Sequence, residues 1–249
     1  MSESLFAEFE LRRIGEPLFE VAGHSISFTS AALFMFISVL CAFSFYYFAM
    51  GRRAVVPGRM QMFVEVLYNL VGDVLEGGAG HKSRPFFPFM LSIFSFVFFC
   101  NLTGLIPHSV SVTSHVIVNF SVAIILFLVI IGTGFVKHGL HFITVFLPPG
   151  TPKFAAPVMF AIEMFSFSVR PFSLSLRLFG NMLAGHLLLH VFAGLAAGLL
   201  AAGWFATLSV FPLMADIAII AFEFFVAFLQ AYIYSILSSV YLHDALEMH

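Results

Sequence analysis

An all-α, polytopic membrane protein is the fold class this sequence predicts, and three observations predict it. Hydrophobic residues fill 61% of the 249 positions and charged residues only 10%, against about 25% charged in soluble globular chains. Mean hydropathy is +1.03. The apolar residues, 35 phenylalanines among them, gather into runs long enough to cross a bilayer. An ordinary soluble enzyme is excluded on these grounds. Intrinsic disorder, which needs low hydrophobicity and high net charge, is excluded more firmly. The net charge of −2 leaves no basic footprint, so no nucleic acid is expected as a partner. Cys41 and Cys100 both lie inside apolar runs. They make neither a disulfide framework nor a C-x-x-C metal spacing.

Residues 1–24 are the most charged stretch, with Glu3, Glu8, Glu10, Arg12, Arg13, Glu16 and Glu20. A secretory signal opens with positive charge ahead of an apolar core. This opening is acidic, so residues 1–27 read as an external segment that stays on the protein. The first span covers about 28–50 and ends at Gly51-Arg52-Arg53, with Arg59, Lys82 and Arg84 beyond. That basic excess places residues 51–85 inside and the N-terminus outside.

Within this inner loop, Met62, Phe63, Val66, Leu67, Leu70 and Val71 interleave with Glu65, Asn69, Asp73 and Glu76. The spacing predicts an amphipathic helix over 60–76, lying on the membrane surface or docked on a partner's soluble part. A helical hairpin follows over 86–136, with spans at about 86–106 and 115–136. Pro107 and the Ser/Thr/His-rich stretch 108–115 form its outer turn, and Lys137-His138 returns the chain inside. Pro148-Pro149-Gly150 breaks the chain again.

From Phe154 onward the pattern changes. Helix-compatible sequence runs over about 154–190, a Gly/Ala-rich segment leads to Trp204, and a second run covers about 205–242. Each helix would be on the order of 50 Å long against a hydrocarbon core of about 30 Å, which predicts strong tilt or a kink. The count is five crossings, N-terminus outside and C-terminus inside, in a single membrane domain whose 154–242 pair forms the ion path.

That pair holds Glu163, Arg170, Arg177, Asp216 and Glu223. Each would cost about 2.5–3.5 kcal/mol at mid-bilayer even on the lenient insertion scale. Glu163, Arg170 and Arg177 are spaced by seven, close to two helical turns, and Ser166, Ser173 and Asn181 join their stripe. Asp216, Glu223 and Gln230 repeat the spacing, with Tyr234 and Ser238 continuing the row. Two helices with polar stripes pack stripe to stripe or onto a water-filled cleft, and an ion path follows. Arg170 with Glu163 has an alternative reading as a bridge that fixes packing, and Asp216, near Pro212, as a solvated surface acid. Arg177 has no acid within four residues, so its counter-charge must come from another helix or another chain.

His186 and His190 are an i,i+4 pair, but Leu187-Leu188 stands where a zinc helix needs Glu after the first His. A protonatable group in a polar file suits them better than a metal site. Gly77-Gly78-Ala79-Gly80 lacks the Lys-Ser/Thr of a phosphate loop. Asn101-Leu102-Thr103 and Asn119-Phe120-Ser121 match the glycosylation pattern but sit in or beside spans, and are set aside. No cofactor is expected.

Ser173–His186 (SLSLRLFGNMLAGH) and Phe228–Asp244 (FLQAYIYSILSSVYLHD) resemble the two signature helices of subunit a of the rotary F-type ATP synthase. SISFTSAALFM near the first span is similar to the same family's N-terminal region. The resemblance implies the membrane stator beside a rotating ring of c subunits, not catalytic alone. Its partners would be that ring, subunit b or other peripheral-stalk subunits, the nucleotide-binding head indirectly, protons, and the lipid bilayer. It implies that Arg177 is the essential arginine, Asn181 the asparagine a turn on and Gln230 the glutamine facing the arginine. His186 and Glu223 take the arrangement typical of mitochondria and their bacterial relatives. Glu163 matches a polar position of the outer half-channel and Arg170 a basic one beside it; Ser173, Asp216, Tyr234 and His190 complete the candidate proton path. The acidic opening favours a bacterial inner membrane over a mitochondrial one. A self-contained transporter or channel is the runner-up, weakened by the lack of matching halves. A haem-bearing subunit is weakened by the lack of a second His pair.

Overall fold

A computed structural model describes residues 19–21, 24–26, 29–51, 57–106, 111–139, 142 and 154–246. The readings made on residues 1–18, Arg52 and Arg53, Pro107 and Pro148-Pro149-Gly150 lie outside the described residues.

Strands β1 (Phe19–Val21) and β2 (His24–Ile26) pair antiparallel, with Phe19 opposite Ile26 and Val21 opposite His24. This small ribbon is absent from the all-helical expectation. Each strand is only three residues long, too short for a two-residue period to stand out.

Helix α1 (Ser30–Met50) starts where the Thr29 hydroxyl accepts the Ala32 N–H at 3.4 Å. It is apolar on every side, and Phe36, Leu40, Phe43, Tyr47 and Phe48 are exposed. A helix of this kind has no polar face to give to water, and hydrocarbon is its solvent. Helix α2 (Arg59–Ala79) is instead amphipathic: Val64, Leu67, Val71 and Leu75 repeat at intervals of three and four and are buried, while Glu65, Asn69, Asp73 and Glu76 are exposed. Gly80, at φ +68°, ends it in a conformation that disfavours a side chain, and its N–H reaches the Glu76 carbonyl at 3.0 Å.

After a 3-10 segment (His81–Phe86) come α3 (Phe87–Gly104), a short turn (Val112–Ser114) and α4 (Val116–His138). Helix α5 (Ala156–Ala201) has 46 residues and α6 (Val210–Leu246) has 37, joined by a 3-10 segment at Gly203–Ser209. At 1.5 Å per residue they span about 69 and 55 Å. The first is longer than expected, because the Gly/Ala-rich stretch before Trp204 stays helical. Alanine, the best helix former, outweighs the interspersed glycines there. Pro171 lies inside α5 and the helix runs on through it. Among the described residues, five helical segments are long and apolar enough to cross a membrane: 30–50, 81–104, 116–138, 156–201 and 206–246.

The chain divides into two compact units. The first comprises Met1–Phe45, Phe96–His115 and Leu178–Gln230. Here the Ser38 and Thr103 hydroxyls join α1 to α3 at 2.6 Å, and Phe98 meets Phe228 of α6 edge-on at 6.2 Å. Gly104 is in close contact with Met182 of α5: a Cβ there would stand 2.9 Å from the Met182 methyl.

The second unit comprises Tyr46–Ser95, Val116–Arg177 and Ala231–His249. Helices α4 and α5 join through Phe127 and Phe167 at 4.5 Å. Lys137 donates to the Leu246 carbonyl at 2.9 Å, capping the end of α6 with a cation. The Ser239 hydroxyl donates to the Val74 carbonyl at 3.0 Å, and a Cβ on Gly78 would collide with that same serine.

Candidate functional site

The polar residues of α6 form a buried row. Glu223 is 6% exposed, Gln230 7% and Tyr234 0%, and Ser238 is buried with its hydroxyl on the Tyr234 carbonyl at 2.6 Å. Steps of seven, four and four keep them on one face. Both carboxylate oxygens of Glu223, Oε1 of Gln230 and the Tyr234 hydroxyl have no hydrogen-bond partner among the described residues. Leaving one such group unsatisfied costs about 1–3 kcal/mol, and more if it is charged. A row of them is stable only if water, a proton or another chain satisfies them. Asp216, at the start of the row, is half-buried with Oδ1 likewise unpartnered among the described residues.

In the first unit Glu223 owes its position to a glycine. Gly185 of α5 is bare, and the Glu223 side chain lies directly over it; a Cβ there would meet the carboxyl group, with the Glu223 Cγ 3.2 Å away. Gly185 continues the buried face of α5 that carries Leu178 and Met182. Asn181 and His186 flank that face and are half-buried. The His190 Nδ1 lies 2.8 Å from the His186 carbonyl. A carbonyl only accepts, so Nδ1 is the donor of this bond.

In the second unit Arg170 is satisfied several times over. Its Nη2 lies 3.6 Å from Glu163 Oε1 and its Nη1 3.9 Å from Asp244 Oδ2. Its guanidinium carbon stands 5.3 Å from the Phe167 ring centre and 4.8 Å from that of Tyr241. The geometry therefore has Arg170 and Glu163 as a bridge, with the end of α6 gathered in. Asp244 is the partner that sequence reasoning missed. It is separated from Arg170 by most of two helices, and only the antiparallel return of α6 brings it near.

Arg177, seven residues on, is different. It is exposed and makes no ion pair or hydrogen bond with any described residue. On α5 the exposed positions run Ser173, Arg177, Gly180, Ala184 and Leu188, an unbroken i+3/i+4 stripe. Small residues on either side of the guanidinium leave room for another backbone to come close. Ser175, which the stripe argument passed over, is buried and donates to the Val116 carbonyl at 3.4 Å.

Long apolar helices carrying a buried acid, a buried amide and an exposed arginine with no ion pair among the described residues define a polytopic membrane protein. Residues 32–243 match the ATP synthase A chain family. The chain belongs to that family, and is thus a membrane-sector stator subunit of ATP synthase, a multi-pass component of an energy-transducing membrane that works with the other subunits of that sector.

Proposed function

We propose that this subunit couples transmembrane proton flow to rotation of a ring of c subunits by supplying two proton half-channels and one fixed arginine, Arg177. The observation that carries this reading is the contrast between two arginines on one helix. Arg170 is answered within its own chain, while Arg177 stands exposed without a described counter-charge. A bare guanidinium in hydrocarbon is costly, so its acid is a carboxylate on the neighbouring ring.

Protons enter through the first unit, by way of His186, Asn181 and Glu223, and neutralise a ring carboxylate. A neutral carboxyl tolerates lipid and an ionised one does not, so the ring turns only in the loaded state. The carboxyl later reaches the second half-channel and releases its proton there, and Arg177 holds the ionised carboxylate as it passes between the two. Because guanidinium stays charged, Arg177 also opposes protons hopping directly between the half-channels. Each charge crossing releases about 2.3 kcal/mol per 100 mV, so one nucleotide requires several protons.

The orientation follows the basic inner loop: N-terminus outside, C-terminus inside, in a bacterial inner membrane, with subunit b or its equivalents holding the stator to the nucleotide-binding head. Cysteines placed at Ser173 and Leu188, both on the exposed stripe, should form disulfides under mild oxidation with cysteines beside the ring carboxylate in the assembled complex. Failure at both positions, in complexes that retain the ring, would remove the ring from that face.

A further inference from the structure

The corner where α2 runs into α3 encloses a cavity of about 490 Å³, inside the range of about 300–1,000 Å³ that small-molecule sites occupy. Its walls come from three consecutive elements: Tyr68, Asp73 and Glu76 of α2, Arg84 of the 3-10 segment, and Phe87 and Pro88 at the start of α3. The frame is set locally. Gly80 reverses the chain, and the buried Ser83 hydroxyl donates to the Gly80 carbonyl at 2.6 Å while lying 3.3 Å from that of Leu75. The turn so held brings Arg84 back over the end of α2, where its Nε donates to Glu76 Oε1 at 2.8 Å. The Tyr68 and Phe87 rings close one side, their centres 4.5 Å apart.

Two polar groups in this cavity keep unused capacity. Arg84 engages Glu76 through Nε, and its Nη groups have no acceptor among the described residues. Asp73 is exposed and makes no ion pair or hydrogen bond with any described residue. A guanidinium and a carboxylate beside a tyrosine face suit a ligand that carries both a phosphate and an ammonium. With two acids against one arginine, a purely anionic ligand is disfavoured, since those select basic pockets.

Position identifies the source of such a ligand. Phe87 and Pro88 begin α3, within the apolar span His81–Gly104. On α2, Met62, Phe63 and Val66 are exposed apolar residues, as on a helix lying in the bilayer interface. That places the cavity at the level of lipid headgroups, where tyrosine is enriched. The geometry points to a binding site at the α2–α3 corner for the headgroup of a zwitterionic phospholipid of the phosphatidylethanolamine class. The phosphate accepts from the Arg84 Nη groups, the ammonium donates to Asp73 and lies over the Tyr68 ring, and the acyl chains follow α3 into the bilayer. The site is separate from the polar row of α6 and does not depend on the proton path.

The test uses the assembled ATP synthase in phosphatidylglycerol vesicles doped with a photoreactive phosphatidylethanolamine, its diazirine on the acyl chain near the glycerol. Labelled peptides of assembled complexes are mapped by mass spectrometry, with the lipid-facing residues of α1, such as Phe36 and Leu40, as the reference. Label should concentrate at the start of α3 despite the excess of phosphatidylglycerol, and unlabelled phosphatidylethanolamine should displace it. Asp73→Asn and Arg84→Gln should each lower it about three- to fivefold, the range of a partly exposed ion pair, with label on α1 unchanged. Asp73 has no structural partner, so its variant reads the site even where Arg84→Gln impairs assembly. Equal labelling in Asp73→Asn and the parent would mean ordinary annular lipid and overturn the inference. So would equal labelling by photoreactive phosphatidylglycerol, or displacement by water-soluble glycerophosphoethanolamine as effective as by the lipid. Absence of label in the assembled complex, with another chain filling the cavity, would overturn it as well.

Discussion

Gly185→Ala isolates the placement of Glu223 from the stability of the fold. Replacing glycine by alanine inside a helix stabilises it by about 1 kcal/mol. The new methyl would overlap the Glu223 carboxyl group, and overpacking of this kind costs typically about 1–3 kcal/mol. The net change is therefore about 0–2 kcal/mol of destabilisation, small against a total of about 5–15 kcal/mol. The atoms in conflict are the far end of a flexible side chain, so Glu223 swings away and the helices stay. The assay is ATP-driven proton pumping in vesicles, paired with thermal denaturation of the detergent-solubilised complex. Pumping should collapse while the melting temperature moves by a few degrees. Glu223→Asp, one methylene shorter, should restore part of the pumping in the Gly185→Ala background. Full pumping with alanine at 185 would refute the claim that the Glu223 carboxyl must occupy that spot.

Three further outcomes follow from other contacts. Asp244→Asn removes one of two carboxylates from Arg170; both partners are partly exposed, so the loss should be under about 1 kcal/mol, and a larger drop in complex stability would show the α6 terminus depends on that pair. Gly78→Val would drive a branched side chain into Ser239 and its backbone, costing about 1–3 kcal/mol and lowering the yield of assembled complex; normal yield would contradict the α2–α6 contact. His115 has its pKa lowered by burial, so its contribution to stability is present above the ordinary histidine value of about 6.5 and lost as pH falls below it. Amide protection factors around 111–115, taken against the intrinsic exchange rate at each pH, should fall on acidification, and His115→Gln should abolish that fall.

The spans were legible in the sequence because composition alone decides what hydrocarbon accepts. The amphipathic α2 was legible through its 3.6-residue period, and the row from Glu223 to Ser238 through its spacing on a single helix. Other features depend on what a second element brings. Asp244 could not be paired with Arg170 from spacing, since the return path of α6 sets their approach. Gly185 and Gly104 looked like ordinary membrane-helix glycines, and only the side chains opposite give them meaning. Asn101 reads in sequence as part of a glycosylation triplet within a span, and only the packing around it shows that it is buried. The end of α5 extends past its glycines because alanine's helix preference outweighs them. Seven-residue spacing put Arg170 and Arg177 on one stripe, yet one is bridged and the other exposed: periodicity gives the face, and neighbours give the environment.

The most direct measurement is proton-driven ATP synthesis together with passive proton conductance in vesicles carrying the complex with Arg177→Ala. Synthesis should vanish while conductance persists or rises, since the missing charge both held the ionised ring carboxylate and kept the half-channels apart. Arg177→Lys should fail as well, its compact ammonium lacking the planar fork. Sustained synthesis by the alanine variant would contradict the account.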